Sequence, residues 1–225
     1  MLQSAMRTLS HQLPPLEEGF VRLYLCRHGE TDFNQQGIMQ GRGVNAQLNK
    51  TGQRQAMKLA RAFDDVPLKA IYSSCLQRAR ETAGFIQQSF PSVKTGAFTD
   101  LEEMSFGSME GTSTKSNDAA IKEIYAKWKQ GKLDTKFPNG ECPLDVEKRG
   151  VTAIHDLVSM AEDDDHIAFV CHGRFNKIIL SSLLNVPLDN PALKQDNTCI
   201  NVLDFNRRTG TYTAVALNNT KHLSA

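Results

Sequence analysis

The chain has 225 residues, 40% of them hydrophobic and 23% charged, which is too apolar for disorder and long enough to bury a core without staples. Lys and Arg number 26 against 25 Asp and Glu, a net charge of +1, so there is no basic field for generic nucleic-acid binding. No apolar run approaches the length of a membrane span, so neither nucleic acid nor membrane is expected as a partner.

Residues 1–19 read as an N-terminal extension. The stretch lacks a signal-peptide apolar core, carries Arg7 and has no acid before Glu17. A ragged lead-in through Pro14-Pro15 is the first reading and a mitochondrial presequence the second. Residues 20–26 are apolar and β-prone, a first strand. A glycine-punctuated segment covers residues 27–50. Asn49 or Thr51 then caps a helix in which Ala56, Leu59, Ala60 and Phe63 share a face. Residues 69–73 form a second strand, followed by a helix with Leu76, Ala79, Ala83 and Ile86 on one side, stopped before Pro91. Asn117 begins a helix bearing Ile121, Ile124, Tyr125 and Trp128, with Gly131 suited to its end. After a loop at Pro138-Asn139-Gly140 comes a helix aligning Val151, Ile154, Val158 and Ala161. Residues 166–171 are a buried-type strand and 174–184 a helix. A hairpin of 200–205 and 211–217 ends the chain.

Strands alternating with helices predict an α/β three-layer sandwich, a mainly parallel central sheet with helices on both faces. Residues 20–225 are expected to form one domain, with the polar stretch of about 107–142 inserted as a lid. The five cysteines (Cys26, Cys75, Cys142, Cys171 and Cys199) are odd in number and lack a C-x-x-C pair. Reduced thiols in the cytoplasm are therefore expected. The one acidic cluster, residues 162–165, reads as a solvated turn rather than a metal site, and no Walker-type phosphate loop occurs. A cysteine phosphatase is excluded because no cysteine has Arg six residues on; after Cys171 that position is Lys177.

In open α/β sheets the chemistry sits beyond the carboxyl ends of the strands. Two histidines fall there, His28 in Arg27-His28-Gly29 and His172 in Cys171-His172-Gly173, each followed by a glycine that permits close approach. Leu25-Cys26-Arg27-His28-Gly29-Glu30-Thr31 followed by Asn34 resembles the signature of the histidine phosphatase superfamily, the phosphoglycerate mutase-like group. Four further segments follow in the family's order: Gln40-Gly41 with Leu48, Gly52 and Gln55; Ser73-Ser74 with Arg78; Glu103 with Phe106-Gly107 and Glu110-Gly111; and His172-Gly173. Asn218, Thr220 and His222 resemble the family's terminal strand end, so the matches span residues 21–223.

The resemblance implies a phosphohistidine mechanism in which His28 is the nucleophile, Glu103 the acid and base, and Arg27, Arg78 and a protonated His172 the charge stabilisers. Arginine suits this because its planar fork pairs bidentately with phosphate. Thr31, Asn34, Gln40, Gly41 and Gly173 are expected to complete the phosphate pocket, with no metal and no cofactor; Thr31 has a turn cap as its other reading. Glu103 is chosen over Glu102 only because Phe106-Gly107 sets the family register. Trp128 is assigned to core or to the wall of the pocket, and His155 to packing or surface. Glu141 is assigned to a hydrogen bond near the site or to a helix N-terminus.

Mutases of the group usually carry Glu-Arg-His-Tyr-Gly where this chain has Glu103-Met104-Ser105-Phe106-Gly107, which resembles the phosphatase branch. The segments at 40–44 and 138–150 look most like broad-specificity and fructose-2,6-bisphosphatase-type members. The expected function is hydrolysis of small phosphomonoesters of the sugar-phosphate kind. A phosphoglycerate mutase is the alternative, and an inactive interaction protein of the same fold stands behind it. Ile38-Met39 and the Asn45-Ala46-Gln47-Leu48 stretch depart from the family pattern and bear on the leaving-group pocket.

Overall fold

The computed structural model describes residues 8–224. Arg7 and the start of the N-terminal extension lie outside them. Six strands form one sheet in the order β3-β2-β4-β1-β5-β6. They are β1 (Phe20–Arg27), β2 (Leu68–Ser74), β3 (Lys94–Phe98), β4 (His166–Cys171), β5 (Ile200–Asn206) and β6 (Thr211–Asn219). The first four run parallel, β5 is antiparallel to β1, and β5 and β6 make the expected hairpin. The helices are α1 (Asp32–Gln36), α2 (Lys50–Ala62), α3 (Gln77–Ser89), α4 (Asp118–Lys129), α5 (Pro143–Ser159) and α6 (Gly173–Leu183). The mainly parallel three-layer sandwich is as expected from the alternation of elements.

The two-residue period of the strands divides the core. On β1, Val21, Leu23 and Leu25 face one layer with α5 and α6, while Tyr24 and Cys26 face the other with α2 and α3. On β4, Ile167, Phe169 and Cys171 join the first layer, and Ala168 and Val170 the second. Both faces are apolar because helices cover both. Asn49, not Thr51, caps α2, its side chain accepting from the Gly52 amide. Two elements escape the periodicity argument. The edge strand β3 carries Gly96 and is largely exposed, so it shows no apolar run. Helix α1 is a single short turn capped by Thr31 within the glycine-punctuated segment.

Helices α2 and α6 follow β1 and β4 and lie on opposite faces of the sheet. The two strands are neighbours, with Arg27 in register with Cys171. The crevice of this topology therefore opens at their carboxyl ends, where His28 and His172 stand.

The lead-in is not ragged where it is described. Leu9 is buried, its amide donates to the Ala62 carbonyl, and residues 10–12 form a turn of 3₁₀ helix. The acidic cluster is a turn: Asp164 is left-handed, the Asp165 carboxylate accepts from the Glu162 amide, and Asp163 pairs with Arg207. All five cysteines are free thiols, and among the described residues no helix is long and apolar enough to cross a membrane.

At the opposite end of β1 from His28, the buried Arg22 forks onto Asp204 with two 2.7 Å bonds and donates a third to the Pro14 carbonyl. Removing one partner of such a pair leaves a buried charge uncompensated. Asp204→Ala should therefore cost about 2–3 kcal/mol in urea unfolding, discounted from the full penalty because Asp204 is partly solvated. Activity should survive, because six strand residues place the pair about 20 Å from His28. A loss below about 0.5 kcal/mol would contradict this account of how the lead-in is fastened.

Candidate active site

Backbone geometry brings the site together before any side chain contributes. The His28 amide donates to the Cys171 carbonyl at 3.0 Å, joining the ends of β1 and β4. A β-carbon on Gly29 would lie 2.5 Å from the Gly52 carbonyl oxygen, and one on Gly52 would lie 2.0 Å from that of Glu30. Only glycines allow the His28 turn to sit this close to the start of α2. The Asn197 side chain donates to the His28 carbonyl and the Thr82 hydroxyl accepts from the Gly29 amide, so the turn is held from both sides.

The two imidazoles are buried, with ring centroids 5.1 Å apart. Nδ1 of His28 lies 2.7 Å from the Gly29 carbonyl oxygen. A carbonyl can only accept, so Nδ1 carries the proton and Nε2 keeps its lone pair. Burial, then the charges of Arg78 and Arg27, hold His28 well below the usual histidine range, so the ring is neutral near pH 7. His172 is pushed down in the same way by burial, Arg78, His28 and Arg27. The expected positive charge on His172 is therefore absent from the free pocket and needs a bound anion to offset the arginines. Both ring nitrogens of His172 are buried without a hydrogen-bond partner among the described residues.

Arg78, on α3, is buried, and its guanidinium donates to the carbonyls of Val44 and Gly41. Burial brings its pKa down to about 10, which leaves it charged at neutral pH. Arg27 donates to the Gln195 carbonyl. The Gln195 side chain is itself fixed by Asn176 and Asn201. Neither arginine makes an ion pair among the described residues, and each has a buried Nε without a partner, as does the Gln40 amide nitrogen. Buried polar nitrogens are ordinarily satisfied. Here five, on Arg27, Gln40, Arg78 and His172, are without a partner among the described residues. Such a set can bind a tetrahedral oxyanion next to a nucleophilic ring nitrogen.

Glu103 and Glu102 separate cleanly. Glu103 is buried, and its carboxylate accepts from the amides of Arg174 and Phe175 at the start of α6 and from that of Met104. Glu102 turns away to pair with Arg42 at 2.9 Å. Glu103 lines a cleft of about 370 Å³ together with Arg27, Gly173, Tyr125, Arg174, Lys177, Lys194 and Gln195.

Thr31, Asn34 and Gly41 border the site but are committed to the protein. Thr31 and Asn34 form the capping box of α1, and the Thr31 hydroxyl also reaches the Gln40 side-chain oxygen. A β-carbon on Gly41 would strike the Glu110 carboxylate. Gly173 stands beside Arg27, where a β-carbon would sit 3.2 Å from Nε. Trp128 is core, donating to the Thr135 carbonyl and packing on Phe137. His155 is exposed on α5 against Phe205. Gln195, Asn197 and Arg174 were not singled out from the sequence, since their roles lie in tertiary contacts with no local spacing. Among the described residues no group of His, Cys, Asp and Glu could hold a metal ion.

The family model of the histidine phosphatase superfamily (branch 1) matches residues 23–220. A putative phosphoserine phosphatase 2 of Hydrogenobacter thermophilus is 33% identical over 171 residues, 75% of this chain and 81% of that protein. A metal-independent phosphoserine phosphatase of Arabidopsis thaliana is 27% identical over 191 residues, 84% and 78% of the two chains. The crystal structure of phosphoserine phosphatase from Entamoeba histolytica, in complex with 3-phosphoglyceric acid, superposes with a TM-score of 0.76 at 28% identity, covering 90% of this chain and 99% of that one. Similarity to fructose-2,6-bisphosphatases in particular is not part of these findings. The crevice at the ends of β1 and β4 thus lies in a fold matched along nearly its whole length, and the chain belongs to the histidine phosphatase superfamily, branch 1.

Proposed function

We propose that the protein hydrolyses small phosphomonoesters in two steps through a phosphohistidine on His28. The observation that carries this is the tautomer of His28. The Gly29 carbonyl holds the proton on Nδ1 and leaves the Nε2 lone pair beside two arginines and His172. In the first step Nε2 forms a bond to phosphorus as the ester P–O bond breaks, and the carboxylic acid of Glu103 gives its proton to the departing alkoxide. In the second, Glu103 takes a proton from water, the hydroxide oxygen bonds to phosphorus, and the N–P bond breaks to release phosphate and neutral His28. Arg27, Arg78 and His172 stabilise the charge spread over the equatorial oxygens, which is the main demand of phosphoryl transfer. No step calls for a metal ion. Hydrolysis is favoured over transfer to a second substrate because the acid loop reads Glu103-Met104-Ser105-Phe106-Gly107 in place of the mutase pattern.

The cleft rim selects the alcohol. Arg174 lies 4.4 Å above the Tyr125 ring and donates to its hydroxyl, which fixes the guanidinium at the cleft wall. Arg174 and Lys177 make no ion pair among the described residues, and Glu103 is the only carboxylate lining the cleft. That charge suits an alcohol bearing its own anionic group, as in the phosphoserine and 3-phosphoglycerate named for its relatives. The segment of residues 107–142 supplies Tyr125 and Thr114 to this wall, which is the part of a lid over the leaving group.

Enzyme quenched with alkaline detergent during turnover should carry an acid-labile, base-stable phosphate. His28→Ala should abolish both label and turnover, a loss on the order of 10³-fold or more. His172→Ala should slow turnover and leave label detectable; label that survives His28→Ala and vanishes with His172→Ala reverses the assignment. Arg174→Met should raise KM for phosphoserine or 3-phosphoglycerate about 10- to 100-fold, the worth of a charged hydrogen bond, with little change for p-nitrophenyl phosphate. Equal changes on both would deny the rim its role in selection.

A further inference from the structure

The acid of the proposed mechanism sits on an irregular loop, residues 102–106, between two short 3₁₀ turns, Thr99–Leu101 and Gly107–Met109. Loops are poor platforms for a group that must meet a leaving oxygen within a few tenths of an ångström. In this one the carbonyls on the Glu103 side are held by a side chain from α5, while the Glu110 carboxylate accepts from the Phe106 amide at the other end. Arg149 donates from NH1 to the carbonyls of Asp100 and Glu102, at 2.9 and 2.8 Å, and from NH2 to that of Glu103, at 3.0 Å. Its Nε and NH2 also fork onto the Glu141 carboxylate at 2.9 and 3.1 Å. A guanidinium has five N–H donors, and all five are used.

Glu141 closes the clamp from the other side. Its carboxylate accepts from the Ser105 amide at 2.7 Å, and its own amide donates to the Ser105 carbonyl at 2.9 Å. Arg42 braces the assembly, pairing with Glu102 and approaching Glu141. The backbone is thus gripped at positions 100, 102, 103 and 105, on both sides of the acid. Arg149 makes no hydrogen bond to the Glu103 carboxylate itself, which is aimed instead by the amides of Met104, Arg174 and Phe175. The side chain of Arg149 is 12% exposed and Glu141 is 17% exposed, so solvent does not compete strongly for these bonds.

We propose that Arg149 is a positioning residue for general acid–base catalysis, acting through Glu141 and the loop carbonyls to fix where the Glu103 carboxyl meets the leaving oxygen. This rests on Glu103 being the acid. Lysine cannot replace Arg149, because an ammonium presents three donors from one point and cannot span three carbonyls and a carboxylate.

The test measures the rate of phosphoenzyme formation in single turnovers across esters whose leaving groups run from nitrophenol to simple alcohols. Good leaving groups need no proton, so loss of acid catalysis steepens the dependence on leaving-group pKa, whereas general loosening of the fold lowers every ester alike. Glu103→Gln sets the slope for a missing acid. Arg149→Lys should steepen the series in the same direction, slowing alkyl esters about 30- to 100-fold, as misplacement near 1 Å does, while p-nitrophenyl phosphate stays within about threefold. Glu141→Gln, which keeps one acceptor oxygen, should steepen it less. If Glu103→Gln steepens the series and Arg149→Lys lowers all esters equally, Arg149 is structural only and the proposal is wrong. If Glu103→Gln leaves the slope unchanged, the acid itself is misassigned and the proposal falls with it.

Discussion

The structure is organised around positive charge in the crevice that no carboxylate among the described residues pairs with. Arg78 is buried and Arg27 half-buried, and both are held by backbone carbonyls rather than ion pairs. Carbonyl dipoles orient a guanidinium without cancelling its charge, so the field at the crevice stays available to a ligand. The cost of burial is visible in the lowered pKa of Arg78 and in the neutral imidazoles beside it. In the proposed mechanism a phosphate dianion would relieve this, pairing with the guanidinium groups, satisfying the partnerless nitrogens and favouring a proton on His172. Functional sites commonly hold strain of this kind, which the rest of the fold must support.

That support is layered. The parallel pairing of β1 with β4 brings two histidines together, and the glycine contact between Gly29 and Gly52 lets the first turn lie against α2. Behind Arg27 stands the Gln195, Asn176 and Asn201 network; behind Glu103 stands the clamp of Arg149 and Glu141. Far from the chemistry, Arg22 and Asp204 tie the lead-in to the base of the sheet. Each device fixes backbone first and side chain second, which suits chemistry where an error of about 1 Å costs on the order of 100-fold in rate.

The legible part of the sequence was the part with a local period or a local motif. Apolar runs gave away β1 and β4, and the 3.6-residue faces gave away α2 to α5. His28 and His172 stood out because each ends a strand and precedes glycine. Glu103 was chosen over Glu102 by family register alone, and the physical distinction, amides at the start of α6 for one and Arg42 for the other, lies in tertiary structure. β3 was missed because an exposed edge strand containing Gly96 carries no buried face to read. Thr31 illustrates two readings converging: it caps α1 and donates to the side-chain oxygen of Gln40, whose buried amide nitrogen has no partner among the described residues. Gln195 and Arg174 left no trace, and Arg149 stood only within the family-like stretch 138–150 with no role of its own, because they bind carbonyls and rings brought close only by folding.

The central claim is that His28 attacks phosphorus in line, with the leaving oxygen directed at Glu103. A crystal structure of the enzyme with orthovanadate tests it directly, since vanadate adopts the five-coordinate geometry of the transferring phosphoryl group. The account predicts vanadium bonded apically to Nε2 of His28, equatorial oxygens on Arg27, Arg78 and His172, and the opposite apical oxygen hydrogen-bonded to Glu103. Vanadium bonded to His172, or an apical oxygen facing Glu102 or no carboxylate at all, would contradict it.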